Sequence, residues 1–477
     1  MMKPVHSFLF FIYTAFFLFL FSISFPKEGI RFTKHFKFEF PSLSEFLEVP
    51  ESAVKKELEK NTLIKNLSKA DSLRIVFVED SIQKANLRLQ YPENNKKILH
   101  AVFKEMEKAS ASGNTFRIMH YGDSQIEGDR ITAFVRNKLQ QKFGGTGSGL
   151  FSIIEIAPRI AVKMEISENW LRYPGFGRKD TSVKHNHYGA LMSFCRFKPL
   201  ANFDTLFNVA DITIQKSKAA YGNARNYSKV KLFYGFNTQP VKLEISADGN
   251  VVGTHLLQPV ENITSVEFSV ASTPEQLTLH FSGKDSPNIY GISLEGNKGI
   301  IMDNVGMRGA SGTDFSKQNP KTLKAMYDKL NVKLLILQYG GNVMPYIKDE
   351  AGAENYGKWF ESQLYFLKKQ IPGIVIIVIG PSDMSVKEKD KYVTYPHLEK
   401  VRDELKKATF NAGGAYWDMY EAMGGKNSMP KWVEATPPLA APDYTHFSPS
   451  GTTKISEMFY DAFFKDYETF KQKSIAE

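Results

Sequence analysis

Four short apolar runs, separated by stretches of helical spacing, constrain this chain more than any other feature. They are Phe116 to Tyr121, Leu334 to Tyr339, Ile374 to Ile379 and Ala415 to Trp417. Each is flanked by glycine or by an amphipathic pattern, as strands covered on both faces should be. Helices are predicted over Asp129 to Phe143, Gln318 to Leu330, Trp359 to Gln370, His397 to Ala408 and Gly451 to Phe464. Strands alternating with helices predict an α/β fold with a doubly wound parallel sheet.

Between the first and second of these runs the texture changes. Residues 155–300 show alternation of period two, as in Val230 to Tyr234, Val241 to Ser246, Val251 to Leu256 and Gln276 to Phe281. Ala247-Asp248-Gly249-Asn250 is a hairpin turn by composition. This predicts an all-β module, a jelly roll or sandwich, inserted into the α/β domain. A chain of 477 residues exceeds one ordinary core, so several units are expected. They are residues 1–26 as a membrane-spanning segment, 27–92 as a stalk, 93–154 and 301–477 as the two parts of the α/β domain, and 155–300 as the insert. For the stretch before Ser110, a helical spacer and a helical cap on the next domain both fit.

The amino terminus carries its own signal. Phe8 to Phe25 is almost wholly apolar and follows Lys3; about 18 to 20 such residues span a hydrocarbon core. The exit Ser22-Ile23-Ser24-Phe25-Pro26 is a poor cleavage site, and no cysteine follows to take a lipid. An uncleaved signal anchor is therefore expected, with a cleaved peptide as the alternative. The formal net charge is +10 with Lys and Arg scattered along the chain. That disfavours nucleic acid as a partner and suits an anionic polymer or membrane surface. The single cysteine, Cys195, lies in an apolar run and reads as a buried thiol.

Four polar segments carry the chemistry. His120-Tyr121-Gly122-Asp123-Ser124-Gln125 places a serine at the carboxyl end of a parallel strand, where open α/β sheets bind ligands. The following helix is expected to aim its N–H groups at the site. Asp443-Tyr444-Thr445-His446 could set a carboxylate against imidazole Nδ1, leaving Nε2 to accept a serine proton. Gly340-Gly341-Asn342 offers a carboxamide at a second strand end, and the loop around Gly309 offers a backbone N–H. Taken singly, the serine could be a helix cap, Asp-x-x-His surface polarity, and the glycine segments plain turns. His185 and His187 have no third ligand in sequence and read as surface or carbohydrate-contact polarity. Neither a metal nor another cofactor is expected.

In this order and context, the four segments resemble the SGNH, or GDSL-type, hydrolases. Gly122-Asp123-Ser124, Gly309, Gly340-Gly341-Asn342 and Asp443-x-x-His446 match that family's blocks, over residues 95–150 and 300–470. Gln125 stands where leucine is common, and Val343 where some members have an acid. The resemblance implies a flavodoxin-like sheet, Ser124 as nucleophile, His446 as base and Asp443 as its orienting acid. It also implies an oxyanion hole built from the Ser124 and Gly309 N–H groups and the Asn342 amide. The interrupting β module is similar to the layout of peptidoglycan O-acetylesterases, as is the segment Tyr416 to Gly425 with Met429 and Trp432. Trp170, Tyr173, Tyr188 and Tyr221 are candidates for stacking on sugars or for ordinary packing. The expectation is a serine acetylesterase acting on an acetylated envelope polysaccharide, anchored on the periplasmic or outer face. An O-acetyltransferase with the same site and a non-catalytic glycan-binding protein are the alternatives.

Overall fold

The computed structural model describes residues 87–198 and 208–476, with a few short pieces before residue 87. Contacts divide the chain into residues 1–82 and 83–477. Most of the expected membrane segment and most of the stalk lie outside the described residues. Among those described, no helix is long and apolar enough to cross a membrane.

The second unit is built on a six-stranded sheet. Its strands are β1 (Leu89–Gln90), β2 (Thr115–Gly122), β3 (Gly299–Gly306), β4 (Val332–Gln338), β5 (Val375–Ile379) and β6 (Ala415–Trp417). The spatial order is β3-β2-β4-β5-β6-β1, parallel except for the antiparallel edge strand β1. Alternation along each strand feeds two cores. Leu334 and Ile336 of β4 enter one, with Val102 and Phe103 of α1 (His100–Ala111), Val135 and Leu139 of α2 (Thr132–Phe143), and Ile455 and Phe459 of α6 (Pro449–Ala476). Leu335 and Leu337 enter the other, with Met326 of α3 (Pro320–Leu330), Phe360 of α4 (Glu350–Gln370) and Leu405 of α5 (Leu398–Asn411). Each such side chain contributes about 1.5–3 kcal/mol on full burial, so a sheet with two covered faces is the stable outcome of these sequences.

Strand β3 was not among the apolar runs picked out by sequence. Its residues Asp303 and Asn304 interrupt the hydrophobic pattern, and the segment resembled a loop. The structure pairs all eight residues with β2. Asp303 is tolerated because Arg117 Nη1 donates to its two oxygens at 2.7 and 2.9 Å, and Leu150 N–H donates at 2.7 Å.

Two five-stranded antiparallel paths form the inserted module. One runs through Val260–Ser269, Lys229–Asn237, Asn288–Glu295, Ser193–Phe197 and Trp170–Pro174, with Gly149–Phe151 added to Asn288–Glu295. The other runs through Asn250–Leu257, Val241–Ala247, Gln276–Gly283, Asn208–Lys216 and Val162–Ile166. Val230 and Leu232 of the first pack with Leu243, Ile245 and Phe281 of the second. Phe233, one residue out of phase, joins the core of α3 and α4 instead. The first sheet is thus covered on both faces, by its partner sheet and by the α/β layer. Cys195 is buried in the sandwich.

Candidate active site

The strand order puts the end of β2 between the ends of β3 and β4, which run on to opposite sides of it. This is a topological switch point, and the crevice outside it is where such sheets bind ligands. Ser124 follows β2, Gly309 follows β3 and Asn342 follows β4. The turn after β2 is tight: a Cβ on Gly122 would meet Ile126 Cδ1 at 2.9 Å and the Gln338 carbonyl at 3.1 Å. Gly340, at φ +121°, lets β4 turn away against Leu405 and Pro381.

Ser124 Oγ lies 2.8 Å from His446 Nε2, and His446 Nδ1 lies 2.7 Å from Asp443 Oδ2. With Nδ1 facing a carboxylate, the consistent tautomer donates there and accepts the serine proton at Nε2. Asp443 Oδ1 also accepts from the Thr445 and His446 N–H groups, both at 3.0 Å. Partial burial works to raise the Asp443 pKa, but these bonds and the imidazole outweigh it and hold the carboxyl below its ordinary range. The Asp443–His446 segment is a turn rather than helix, with Tyr444 at φ +53°. Stacking of Tyr444 on Tyr392 at 3.6 Å secures it, as does Ser385 N–H donating to Tyr444 O at 3.0 Å. Both partners come from a small hairpin, Ser385–Glu388 with Lys391–Thr394, that sequence patterning does not reveal.

Gln125 accounts for its own departure from the family pattern. Its Nε2 donates to Thr445 O at 2.6 Å, tying the serine turn to the histidine loop. Leucine could not make this bond. A second imidazole on this strand, His120, is fully buried, and burial pushes its pKa down to about 4. Its Nδ1 is 2.9 Å from Thr132 Oγ1, so it serves the interior.

Ser124, Gly309, Asn342 and His446 line one cleft. The Ser124 and Gly309 N–H groups have no hydrogen-bond partner among the described residues. Asn342 is differently placed from expectation. Its Nδ2 donates to Asp123 Oδ2 at 3.0 Å and to Ala310 O at 3.1 Å, so donation to an oxyanion requires exchange of one of these bonds. Asp123 Oδ1 accepts from Gln125 N–H at 2.9 Å. Burial is the dominant influence on Asp123 and pushes its pKa up to about 6.

The helix after the serine also differs from expectation. It begins only at Thr132, because Gly128 and Asp129 take left-handed φ values of +68° and +70° and form a separate short turn. Asp129 is held there by two bonds from Arg136, at 2.6 and 2.8 Å. His185 and His187 stand beside Phe236, and His187 Nδ1 is 2.6 Å from Thr322 Oγ1. Among the described residues no group of three or more His, Cys, Asp or Glu side chains could hold a metal ion.

A solved peptidoglycan O-acetylesterase is similar to this chain, with a TM-score of 0.61 at 22% identity, covering 77% of this chain and 96% of that one. The fold is SGNH-hydrolase-like. A GDSL-like lipase from Parabacteroides merdae (15% identity, TM-score 0.27, covering 34% of this chain and 72% of that one) is a more distant likeness. So is an acetylxylan esterase from Geobacillus stearothermophilus (18% identity, TM-score 0.26, covering 36% and 73%). No family model and no curated protein matches the chain.

Proposed function

We propose that this chain is a serine esterase that removes O-acetyl groups from a cell-envelope polysaccharide, with peptidoglycan the first candidate. The observation that carries the reading is the unbroken line from Ser124 Oγ through His446 to Asp443 at the mouth of a cleft of about 310 Å³. Ser124 Oγ attacks the acetyl carbonyl carbon while His446 Nε2 takes its proton. The Ser124 and Gly309 N–H groups, with the Asn342 amide after release from one partner, receive the developing oxyanion. Collapse breaks the bond to the sugar oxygen, which leaves with the proton from His446. Water then adds to the acetyl-serine as His446 takes its proton, and collapse breaks the bond to Ser124 Oγ, which regains that proton from His446 as acetate departs. Asp443 holds the imidazole through both halves.

The similar esterase supports the acetylated-glycan reading, as does the site at the open end of the sheet. The apolar stretch from Phe8 to Phe25 supports a tether to a membrane, and action on an envelope polysaccharide favours the periplasmic or outer face. The test is acetate release from O-acetylated peptidoglycan by the purified protein, compared with acetylated xylan and with the Ser124→Ala protein. Release that Ser124→Ala leaves intact would sink the assignment of the nucleophile. Loss of acetyl from the donor only when a second glycan is present, with the acetyl group recovered on that glycan and no free acetate, would turn the reading into a transferase.

A further inference from the structure

The space around Ser124 has two arms. One passes over Pro345, Tyr346 and Tyr395. The other, of about 690 Å³, lies between Arg130 and Arg308 and the loop bearing Ala157, Pro158 and Ile160 that leads into the β module. We propose that this second arm is an anion subsite, in which Arg130 and Arg308 bind a carboxylate carried by the acetylated saccharide and so select acidic glycans over neutral ones. The proposal rests on the esterase reading and names the substrate class for that site.

Arg130 is half-buried, and no carboxylate bonds it. Its Nε donates to the Glu127 carbonyl at 3.0 Å and its Nη2 to the Ser124 carbonyl. Burial is the main influence on it and disfavours its charge, while Glu127, Asp123 and Asp443 favour it without a carboxylate bond. The acids around it are engaged elsewhere. Asp123 holds Asn342 and Gln125, and Asp443 holds His446. Glu127 is buried and accepts Arg308 Nε at 3.0 and 3.1 Å, leaving the half-exposed Arg308 guanidinium tethered at the rim. Neither Arg130 Nη1 nor Arg308 Nη1 has a partner among the described residues.

Of the carboxylates beside the serine only Glu127 bonds a guanidinium, that of Arg308, and free N–H donors of both arginines are left in the cleft. A half-buried guanidinium to which no carboxylate is bonded gains from a ligand carboxylate that bonds it directly. Planar guanidinium forks also match carboxylate geometry. Arg130 is bonded to the backbone of Ser124 itself, so an anion bound there lies close to the scissile ester. The carboxylate could belong to a sugar acid or to a peptide attached to the sugar.

Calorimetry on the Ser124→Ala protein separates these sources with three probes. They are an N-acetylglucosamine–N-acetylmuramic acid tetrasaccharide with free lactyl carboxylates, the same glycan with its stem peptides, and neutral chitotetraose. At least one acidic probe should bind about tenfold more tightly than chitotetraose, the scale of a charge-assisted bond. Whichever of the two does so identifies the source. Adding Arg308→Gln should remove most of that preference, and Arg308→Lys should keep part of it. Arg130→Gln should remove it entirely, with Arg130→Lys as the better-folded companion if its melting temperature falls. Equal affinity for acidic and neutral probes, no binding of either acidic probe, or a preference that survives both Gln substitutions would overturn the subsite. The esterase reading stands separately, on hydrolysis of 4-nitrophenyl acetate by the wild-type protein.

Discussion

Two sets of arginines divide the molecule. In the interior, Arg117 and Arg136 are 2% and 0% exposed and bonded to carboxylates. Arg117 joins Asp303 of β3 to Glu295 of the module, and Lys231 reaches the same Glu295 at 3.2 Å. Arg136 clasps Asp129 with two bonds and donates a third to Met302 O at 2.8 Å. At the cleft, Arg130 bonds only carbonyls and Arg308 is half-exposed. The interior set has a carboxylate for each guanidinium because an unpaired buried charge is hardly tolerated. The cleft set is incomplete because it faces the space a ligand enters. Pairing, more than charge itself, separates residues that hold the insert to the sheet from residues that face substrate.

Substitutions can break or sharpen this contrast. The largest effect should come from the cleft: Ser124→Ala should lower kcat on an acetyl ester by roughly 10⁴-fold or more with little change in melting temperature. An inactive protein that also melts far lower would mean the serine supports the fold. Next is the interior. Arg117→Met leaves Asp303 and Glu295 buried without their shared cation, and should cost about 3–5 kcal/mol in denaturant unfolding. A cost under about 1 kcal/mol would show that the network is not what joins module to sheet. Asn342→Ala should then raise the barrier by about 2.7–4 kcal/mol, read in kcat more than in KM. If only KM changes, the amide stays with Asp123 and Ala310 during reaction.

The smallest effect is a pH dependence. Asp123 has its pKa raised by burial from 3.8 to about 6. Because the folded state holds the proton more tightly, its contribution to stability is present below pH 3.8 and is lost as pH rises through about 6. Asp123→Asn removes that titration. The melting temperature of the variant relative to wild type should therefore be higher at pH 7.5 than at pH 4.5. A difference that does not change between these two pH values would mean that the buried carboxyl keeps its ordinary pKa.

Much of the α/β architecture is legible in sequence because strands covered on both faces need continuous apolar runs. β2, β4, β5 and β6 all show them. β3 escapes because Asp303 sits mid-strand, acceptable only with Arg117 from a strand far away in sequence. The helix after Ser124 was expected too early, since the pattern through Ile131 and Val135 carries no mark of left-handed backbone at Gly128 and Asp129. Four motifs pointed to Ser124, Gly309, Asn342, Asp443 and His446 as site candidates. Arg130, Arg308, Tyr392 and the bonding of Asp123 have no such local signature.

Local order and composition were enough to specify which strand ends carry polar groups, because hydrophobic periodicity and glycine placement act within a few residues. Only the tertiary structure decided that a serine and a histidine 322 positions apart lie 2.8 Å from each other. It alone also decided which carboxylates are occupied and which guanidiniums are left facing the cleft. The physical reason is that pairing of charges depends on distance in space and on burial, and neither is encoded in spacing along the chain.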